Sequence, residues 1–314
     1  MKTQEEKVFV IINSYRVGDI LLTNPLIQNI KRLYKNSKVV MLTSPALVDI
    51  AKYQEGVDDV VVWDRHGIHK GLWNTFKFAW SFPYKKIFAS FPIYGMDRPA
   101  LIGKLIGSKY VLCEKRSLYT SLLRKSKYKI KFENDNMQRF HISLLTGITK
   151  EELRDVPVKY HVQNCADEFI PKEDFIVICP TSSRKEKDMP CDSLIATIKK
   201  LSNYKVVVLG KGDRADAISE QLKKENLPNL IDLTGQTSII QMADIMNKSI
   251  GVISVDTGTL HLASALQKPT VALFYIKGTE RFIPDPKLYK CIVAESKTPE
   301  EILICLEKIM NNSK

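Results

Sequence analysis

Three stretches of this 314-residue chain carry residue types and spacings that could do chemistry. The first is Asn13-Ser14-Tyr15-Arg16-Val17-Gly18-Asp19, which follows an apolar run and leads into a helical pattern. Asp19 at a helix entrance fits two roles: an N-cap, whose carboxylate takes a free backbone N–H, or a base open to a cleft, able to accept a substrate proton. The second is Pro180-Thr181-Ser182-Ser183-Arg184-Lys185-Glu186-Lys187-Asp188-Met189-Pro190. Hydroxyls and cations just before a helix suit a diphosphate, and equally suit a solvated loop with a Ser/Thr turn. The third is Ser254-Val255-Asp256-Thr257-Gly258-Thr259-Leu260-His261. Here an apolar strand pattern ends in Asp256, and Gly258 opens a helix whose free N–H groups and positive dipole end can hold a phosphate. His261 stands one turn in, near the same anion. No G-x-G-x-x-G dinucleotide fingerprint is present.

These stretches need elements that bring them together. Short β-branched apolar runs at 8–12, 38–42, 60–63, 86–89 and 110–112 alternate with helical patterns, the clearest over 20–34. In the second half, strand patterns at 175–179, 205–209, 230–233, 250–255 and 270–274 alternate with helical ones at 193–201, 215–224, 239–246 and 260–266. Strands that are apolar throughout, separated by helices, predict parallel sheets covered on both faces. In such sheets ligands sit beyond the carboxyl ends of the strands, where all three stretches fall. A linker is expected at 155–174, with Pro157 and Pro171, which sets an N-terminal domain of 1–160 against a C-terminal one of 161–314. For the last helix, packing back on the first domain is entertained.

Charge divides the halves more sharply than composition does. Residues 1–160 hold 27 Lys+Arg and 15 Asp+Glu, whereas residues 161–314 hold 20 of each, so the net +12 belongs to the first half. Lys115, Arg116, Arg124, Lys125, Lys127, Lys129 and Lys131 fall within seventeen residues that contain no acid. Such asymmetry predicts an anionic partner met by one domain. If the beginning of 115–131 is helical, Leu118, Tyr119, Leu122 and Leu123 would form an apolar face beside a basic one, suited to a membrane surface or an anionic lipid acceptor. A solvated lysine-rich loop fits the same residues. For Trp73, Phe76, Phe78 and Trp80 the expected role is packing. The six cysteines are scattered and read as buried thiols of a reducing compartment. The charged start followed by a five-residue apolar run reads as a first strand and not a signal peptide. His66-Gly67-Ile68-His69 lacks a carboxylate or cysteine at ligand spacing, so no metal and no cofactor is expected.

Asp256-Thr257-Gly258-x-x-His261-Leu262, with Ala265-Leu266-x-x-Pro269 and Val271-Ala272-Leu273-Phe274 after it, resembles the signature of the lipopolysaccharide heptosyltransferases, glycosyltransferase family 9. Val17-Gly18-Asp19-Ile20-Leu21-Leu22-Thr23-x-Pro25 is similar to that family's N-terminal loop. Thr181-Ser182-Ser183-Arg184-x-x-Lys187-x-x-Pro190 is similar to its central loop. The resemblance implies a GT-B fold, two Rossmann-like doubly wound domains facing across a cleft, with the acceptor on the first domain and the donor on the second. It implies an inverting, metal-independent transfer of heptose, usually from ADP-L-glycero-D-manno-heptose, to a Kdo- or heptose-bearing lipid-linked inner core. Asp19 then becomes the general base; Lys187, Thr257, Gly258 and His261 hold the donor diphosphate, Thr181 and Ser182 lie in the same loop, and Asp256 meets the donor sugar. Lys115, Arg116, Arg124, Lys125, Lys127 and Lys129 would face the acceptor or the cytoplasmic surface of the inner membrane, as a peripheral protein does. The chain departs from the family after its last matched strand, reading Tyr275-Ile276-Lys277-Gly278-Thr279 where Gly-Pro-Thr is common. Three competing readings are another nucleotide-sugar donor, a catalytically inactive GT-B binding subunit, and a nucleic-acid-binding protein. The last lacks any reading motif or aromatic stacking platform, and the inactive subunit sits poorly with the presence of Asp19, Lys187, Asp256 and His261.

Overall fold

The computed structural model describes residues 5–312, and the chain divides into two compact units between Val158 and Lys159. The strands of the first unit are β1 (Lys7–Ile12), β2 (Ser37–Thr43), β3 (Asp59–Val62), β4 (Ile87–Pro92) and β5 (Tyr110–Val111). They form one parallel sheet in the order β3-β2-β1-β4-β5. Its helices are α1 (Val17–Leu21), α2 (Asn24–Leu33), α3 (Val48–Lys52), α4 (Leu72–Trp80), α5 (Asp97–Leu105), α6 (Leu118–Leu123) and α7 (Met137–Ser143). Strands of the second unit are β6 (Phe175–Cys179), β7 (Lys205–Val208), β8 (Leu230–Asp232), β9 (Gly251–Val255), β10 (Thr270–Leu273) and β11 (Cys291–Ala294). They are parallel in the order β11-β10-β9-β6-β7-β8, with helices α8 (Cys191–Lys200), α9 (Asp213–Leu222), α10 (Ile239–Lys248), α11 (Gly258–Ala265) and α12 (Pro299–Asn311).

Alternation along each central strand explains the apolar runs. In β1, Val8, Val10 and Ile12 pack with Trp63, Phe78 of α4, and Ile102 of α5 on one face. Phe9 points the other way, against Tyr34, Phe88 and Phe91. In the second unit Ile176, Ile178, Ile253 and Val255 pack on Leu194 and Ile198 of α8 and on Ile302 and Leu306 of α12. The closing helix α12 lies on α8 and on the β9–β11 side of its own sheet.

The helix expected over 20–34 is two helices. Pro25 has no N–H to continue the α1 ladder; the Thr23 hydroxyl and N–H instead both close on the Ile20 carbonyl, at 2.6 and 3.2 Å, and α2 starts at Asn24. The ends of the expected linker are anchored separately. Asn29 of α2 bonds the backbone of Arg154 in both directions and Gln28 donates to the Pro157 carbonyl at 2.7 Å. Further on, the Ala166 N–H donates to buried Asp244 of α10 at 2.8 Å. Burial pushes the Cys113 thiol up to about 11 and those of Cys179 and Cys291 to about 12, so these thiols act as apolar filling. Cys165 departs from the expectation of buried cysteines: it is exposed.

Candidate functional site

Each sheet reverses its strand order once, between β1 and β4 in the first unit and between β9 and β6 in the second. Such reversals open a crevice at the carboxyl ends of the strands, and the candidate residues stand there.

At the first reversal, Asp19 is not a cap. Arg16 is the N-cap of α1 and Asp19 lies within the helix, two residues past its first position. Its carboxylate instead accepts a short hydrogen bond from the hydroxyl of Tyr94, from the turn that follows β4. Asn13 fixes the backbone at this point by donating to the Asp19 carbonyl at 2.9 Å. Burial raises the Asp19 pKa, and the Tyr94 hydrogen bond and the charge of Arg16 pull it back only in part. The result is a carboxylate more basic than one in water, as a proton acceptor needs to be. Tyr94 reaches it from a left-handed backbone, φ +65°, a conformation costly for a side-chain-bearing residue. Its ring is held edge-on by Tyr15 at 5.2 Å and His141 at 5.9 Å, and the Arg116 guanidinium lies over it at 5.8 Å.

At the second reversal, Lys187 donates a short hydrogen bond to the Asp256 carboxylate, and both are buried. Residues read separately, one for a diphosphate and one for a sugar, are thus partners of each other. His261, equally buried, has its pKa driven well below its ordinary range by desolvation, with Lys187 adding to the effect and Asp256 opposing it. It is therefore neutral near pH 7, and the three side chains carry no net charge. Thr257 is the N-cap of α11 but its side chain caps nothing, which leaves the first-turn N–H groups at Gly258 to other partners. The loop after β6 is drawn shut by the Met189 N–H on the Pro180 carbonyl at 2.8 Å. Ser182 makes a Ser/Thr turn, accepting from the Arg184 N–H at 3.0 Å and donating to its carbonyl at 2.8 Å. Asp188 clamps this loop, accepting from the Ser182 N–H at 2.7 Å and from Arg214 of α9 at 2.7 Å. Thr181 sits half-buried in the same loop.

The basic segment differs from its expectation. Its helical part, α6, contains no cation; Lys115 and Arg116 precede it and Arg124 ends it. Leu118, Tyr119 and Leu122 of α6 point outward. The rest is a pinned strip: Lys125 pairs with Val111 through backbone bonds of 2.8 and 3.0 Å, and the Lys127 N–H donates to the Gly147 carbonyl at 2.8 Å. Lys125, Lys127 and Lys129 are exposed along it. Arg116, at the start of the segment, lies over the Tyr94 ring beside Asp19.

The residues not foreseen are Tyr94, Tyr15 and His141 around Asp19, and Asp188 and Arg214 behind Ser182. Tyr94 could have been found by asking which loop follows the strand beside β1, since Pro92-Ile93-Tyr94-Gly95 ends an apolar run.

Two parallel-sheet α/β units with polar groups at both strand-order reversals are the plan of GT-B glycosyltransferases. The family model of glycosyltransferase family 9 (heptosyltransferase) matches residues 101–308, and the chain belongs to that family; it is a glycosyltransferase of the heptosyltransferase type. Its fold is similar to that of a glycosyl transferase family 9 protein from Veillonella parvula, with a TM-score of 0.83 at 16% identity over 98% of this chain and 97% of the other. It is similar to E. coli ADP-heptose lps heptosyltransferase II, with a TM-score of 0.79 at 17% identity, covering 98% of this chain and 99% of that one. E. coli heptosyltransferase WaaC, solved with ADP, aligns with a TM-score of 0.79 at 16% identity over 96% of this chain and 99% of its own. No curated protein matches the sequence.

Proposed function

We propose that the chain transfers heptose from ADP-L-glycero-D-manno-heptose to an inner-core acceptor of lipopolysaccharide or lipooligosaccharide, by an inverting, metal-independent displacement, while bound peripherally at the cytoplasmic face of the inner membrane. The observation that carries the reading is the charge-neutral trio of Lys187, Asp256 and His261 at the uncapped start of α11. In the displacement, Asp19 takes the proton of the acceptor hydroxyl as that oxygen bonds the anomeric carbon of the donor. The bond from that carbon to the β-phosphate oxygen breaks, and its electron pair leaves with ADP. The negative charge then gathers on the diphosphate, where the N–H groups at Gly258, the Lys187 ammonium and a neutral His261 N–H stabilise it without a metal. Asp256 accepts hydrogen bonds from hydroxyls of the donor sugar. Thr181 and Ser182 add polar contacts from the loop that Asp188 and Arg214 hold, and Thr257 orients the start of α11. The cations Lys115, Arg116, Arg124, Lys125, Lys127 and Lys129 meet the anionic acceptor.

A second donor reading rests on the segment after β10. There Gly278 adopts φ +81° and its N–H donates to the Glu280 carboxylate at 3.0 Å, in a loop whose sequence departs from the family's. A different sugar, such as a nucleotide-activated hexose, would use the same base and the same diphosphate site. Titration and turnover with a panel of ADP-heptose, ADP-hexose, UDP-hexose and GDP-hexose test the donor directly. ADP-heptose is expected to bind and react best; tighter binding and faster transfer of a hexose would overturn the heptose assignment.

A further inference from the structure

Helix α4 is apolar on both sides. Its inward face, Thr75, Phe78 and Ala79, is buried against the first sheet. Its outward face carries Leu72, Trp73, Phe76 and Trp80, which fall within one arc of the helix at this spacing. They are not packed as expected: Trp73 is 71% exposed and Trp80 89%. A contiguous exposed apolar patch of this kind marks an interaction surface, and Lys77 of the same helix lies at its edge. The apolar surface continues across neighbouring elements. Helix α4 packs beside α5, and α5 beside α6; Met96 at the start of α5 is exposed, as are Leu118 at 80% and Leu122 at 76% on α6.

The rim of this surface is basic. Between Arg65 and Met96 the chain holds Arg65, Lys70, Lys77, Lys85 and Lys86 and no acid. The Lys77 ammonium sits 5.6 Å from the Trp73 ring centre, and Lys86 pairs with Glu5. Indole rings with cations beside them suit the headgroup boundary of a bilayer, where the ring body is in an apolar layer and the polar edge stays wet. Cations attract an anionic leaflet. A second copy of the chain fits less well: a two-fold contact sets the same patch against itself, which would oppose Lys70, Lys77 and Lys85 with their own equivalents.

The surface also borders the Asp19 group. Arg65, in the loop that leads to α4, lies over the Tyr15 ring at 5.5 Å, and Tyr15 contacts Tyr94. On the other side Arg116, just before α6, covers Tyr94. Asp19 thus lies between two loops that each lead to an exposed apolar helix.

We propose that α4 lies flat in the interfacial layer of an anionic phospholipid bilayer, with Trp73, Phe76 and Trp80 inserted and Leu118 and Leu122 of α6 as a second contact. This deepens the peripheral-membrane part of the function proposed above and is independent of which sugar is transferred. The test uses the full chain with unilamellar vesicles of equimolar phosphatidylcholine and phosphatidylglycerol, containing neither donor nor glycolipid. Wild type is expected to sediment with these vesicles and far less with pure phosphatidylcholine. Its tryptophan emission should shift to the blue and be quenched by lipids brominated in the upper acyl chain. Trp63 is fully buried in the core and serves as the unquenched reference. The Trp73→Ser/Trp80→Ser variant is expected to bind roughly tenfold or more weakly with an unchanged melt, since both side chains are exposed, and Leu118→Ser/Leu122→Ser to lose less. Vesicle binding equal in wild type and the tryptophan variant overturns the proposal. So does absent vesicle binding with a concentration-dependent dimer that the same substitutions abolish, which would make α4 a contact between copies. Asp19→Asn should bind vesicles like wild type, because Asp19 is no part of this surface. Wild type that binds vesicles through α4 yet transfers no heptose would overturn the function and leave this surface standing.

Discussion

The two sheets reverse their strand order in the same way, yet they place opposite kinds of group at the reversal. In the first unit one carboxylate, Asp19, is held by a neutral hydroxyl, that of Tyr94, and has its basicity raised by burial. In the second, a buried carboxylate is fully compensated by Lys187, and a neighbouring histidine is kept neutral. One site raises the basicity of its carboxylate; the other cancels its charge and leaves uncapped backbone N–H groups as the anion-seeking element. A shared topology therefore supplies the location only. Partner chemistry at each reversal sets whether the unit is equipped to take a proton or to hold a phosphate.

Asp19→Asn breaks the comparison most directly. The side chain keeps its shape and the fold should melt as wild type does, because Asp19 caps nothing. Transfer at saturating donor is expected to fall by roughly a hundredfold or more, since an amide cannot accept the acceptor proton. Near wild-type turnover would remove Asp19 from the mechanism.

Lys187→Ala tests the second site. Donor affinity should drop roughly tenfold to a hundredfold, corresponding to about 1.5–3 kcal/mol for a charge-assisted contact. The melt should also fall, because Asp256 is left buried without its cation, at a cost of about 3–5 kcal/mol. Titration calorimetry and a thermal melt separate the two losses. A lower melt with unchanged donor affinity would make Lys187 a structural partner of Asp256 alone.

Tyr94→Phe sharpens the first site. The hydroxyl lowers the Asp19 pKa, so its removal should move the acidic limb of the pH–rate profile to higher pH, with a rate loss at neutral pH of roughly tenfold or less. A profile that does not move would show that Tyr94 leaves the basicity of Asp19 alone.

The smallest effect concerns stability. His261 ordinarily titrates near 6.5 and is pushed down to about 4 in the fold, mainly by burial. Between those values the unfolded chain takes up a proton that the folded chain refuses, so stability present above pH 6.5 is lost as pH falls toward 4. The melt of wild type should therefore decline more steeply over that window than the melt of His261→Gln. Parallel declines would place the acid sensitivity elsewhere.

Much of the frame was legible because of how central parallel strands are buried. With both faces of β1, β6 and β9 covered, their sequences are uninterrupted runs such as Val8-Phe9-Val10-Ile11-Ile12, hard to mistake for anything else. Strand β11, a partly exposed edge strand of four residues, has no counterpart among the strand patterns of the sequence. Site residues that follow these strands were legible by position, but their partnerships were not. Tyr94 lies 75 residues from Asp19, and Lys187 lies 69 from Asp256; only the strand order makes them neighbours. The outward face of α4 is illegible for a different reason. An apolar helix has the same composition whether its far side meets protein or water, so the sequence does not distinguish exposed Trp73 and Trp80 from core.

The bond between Lys187 and Asp256 has a kinetic side under the proposed donor assignment. An ammonium already committed to a neighbouring carboxylate meets an incoming diphosphate as a shared ligand, so a carboxylate inside the protein competes with the product for the same cation. Once the sugar has gone, the hydroxyls that occupied Asp256 are gone too, and that carboxylate is free to reclaim Lys187. The residue that helps the leaving group depart is then drawn off it, which shortens the residence of the nucleotide product and keeps a site built for a tightly held anion from being blocked by its own by-product.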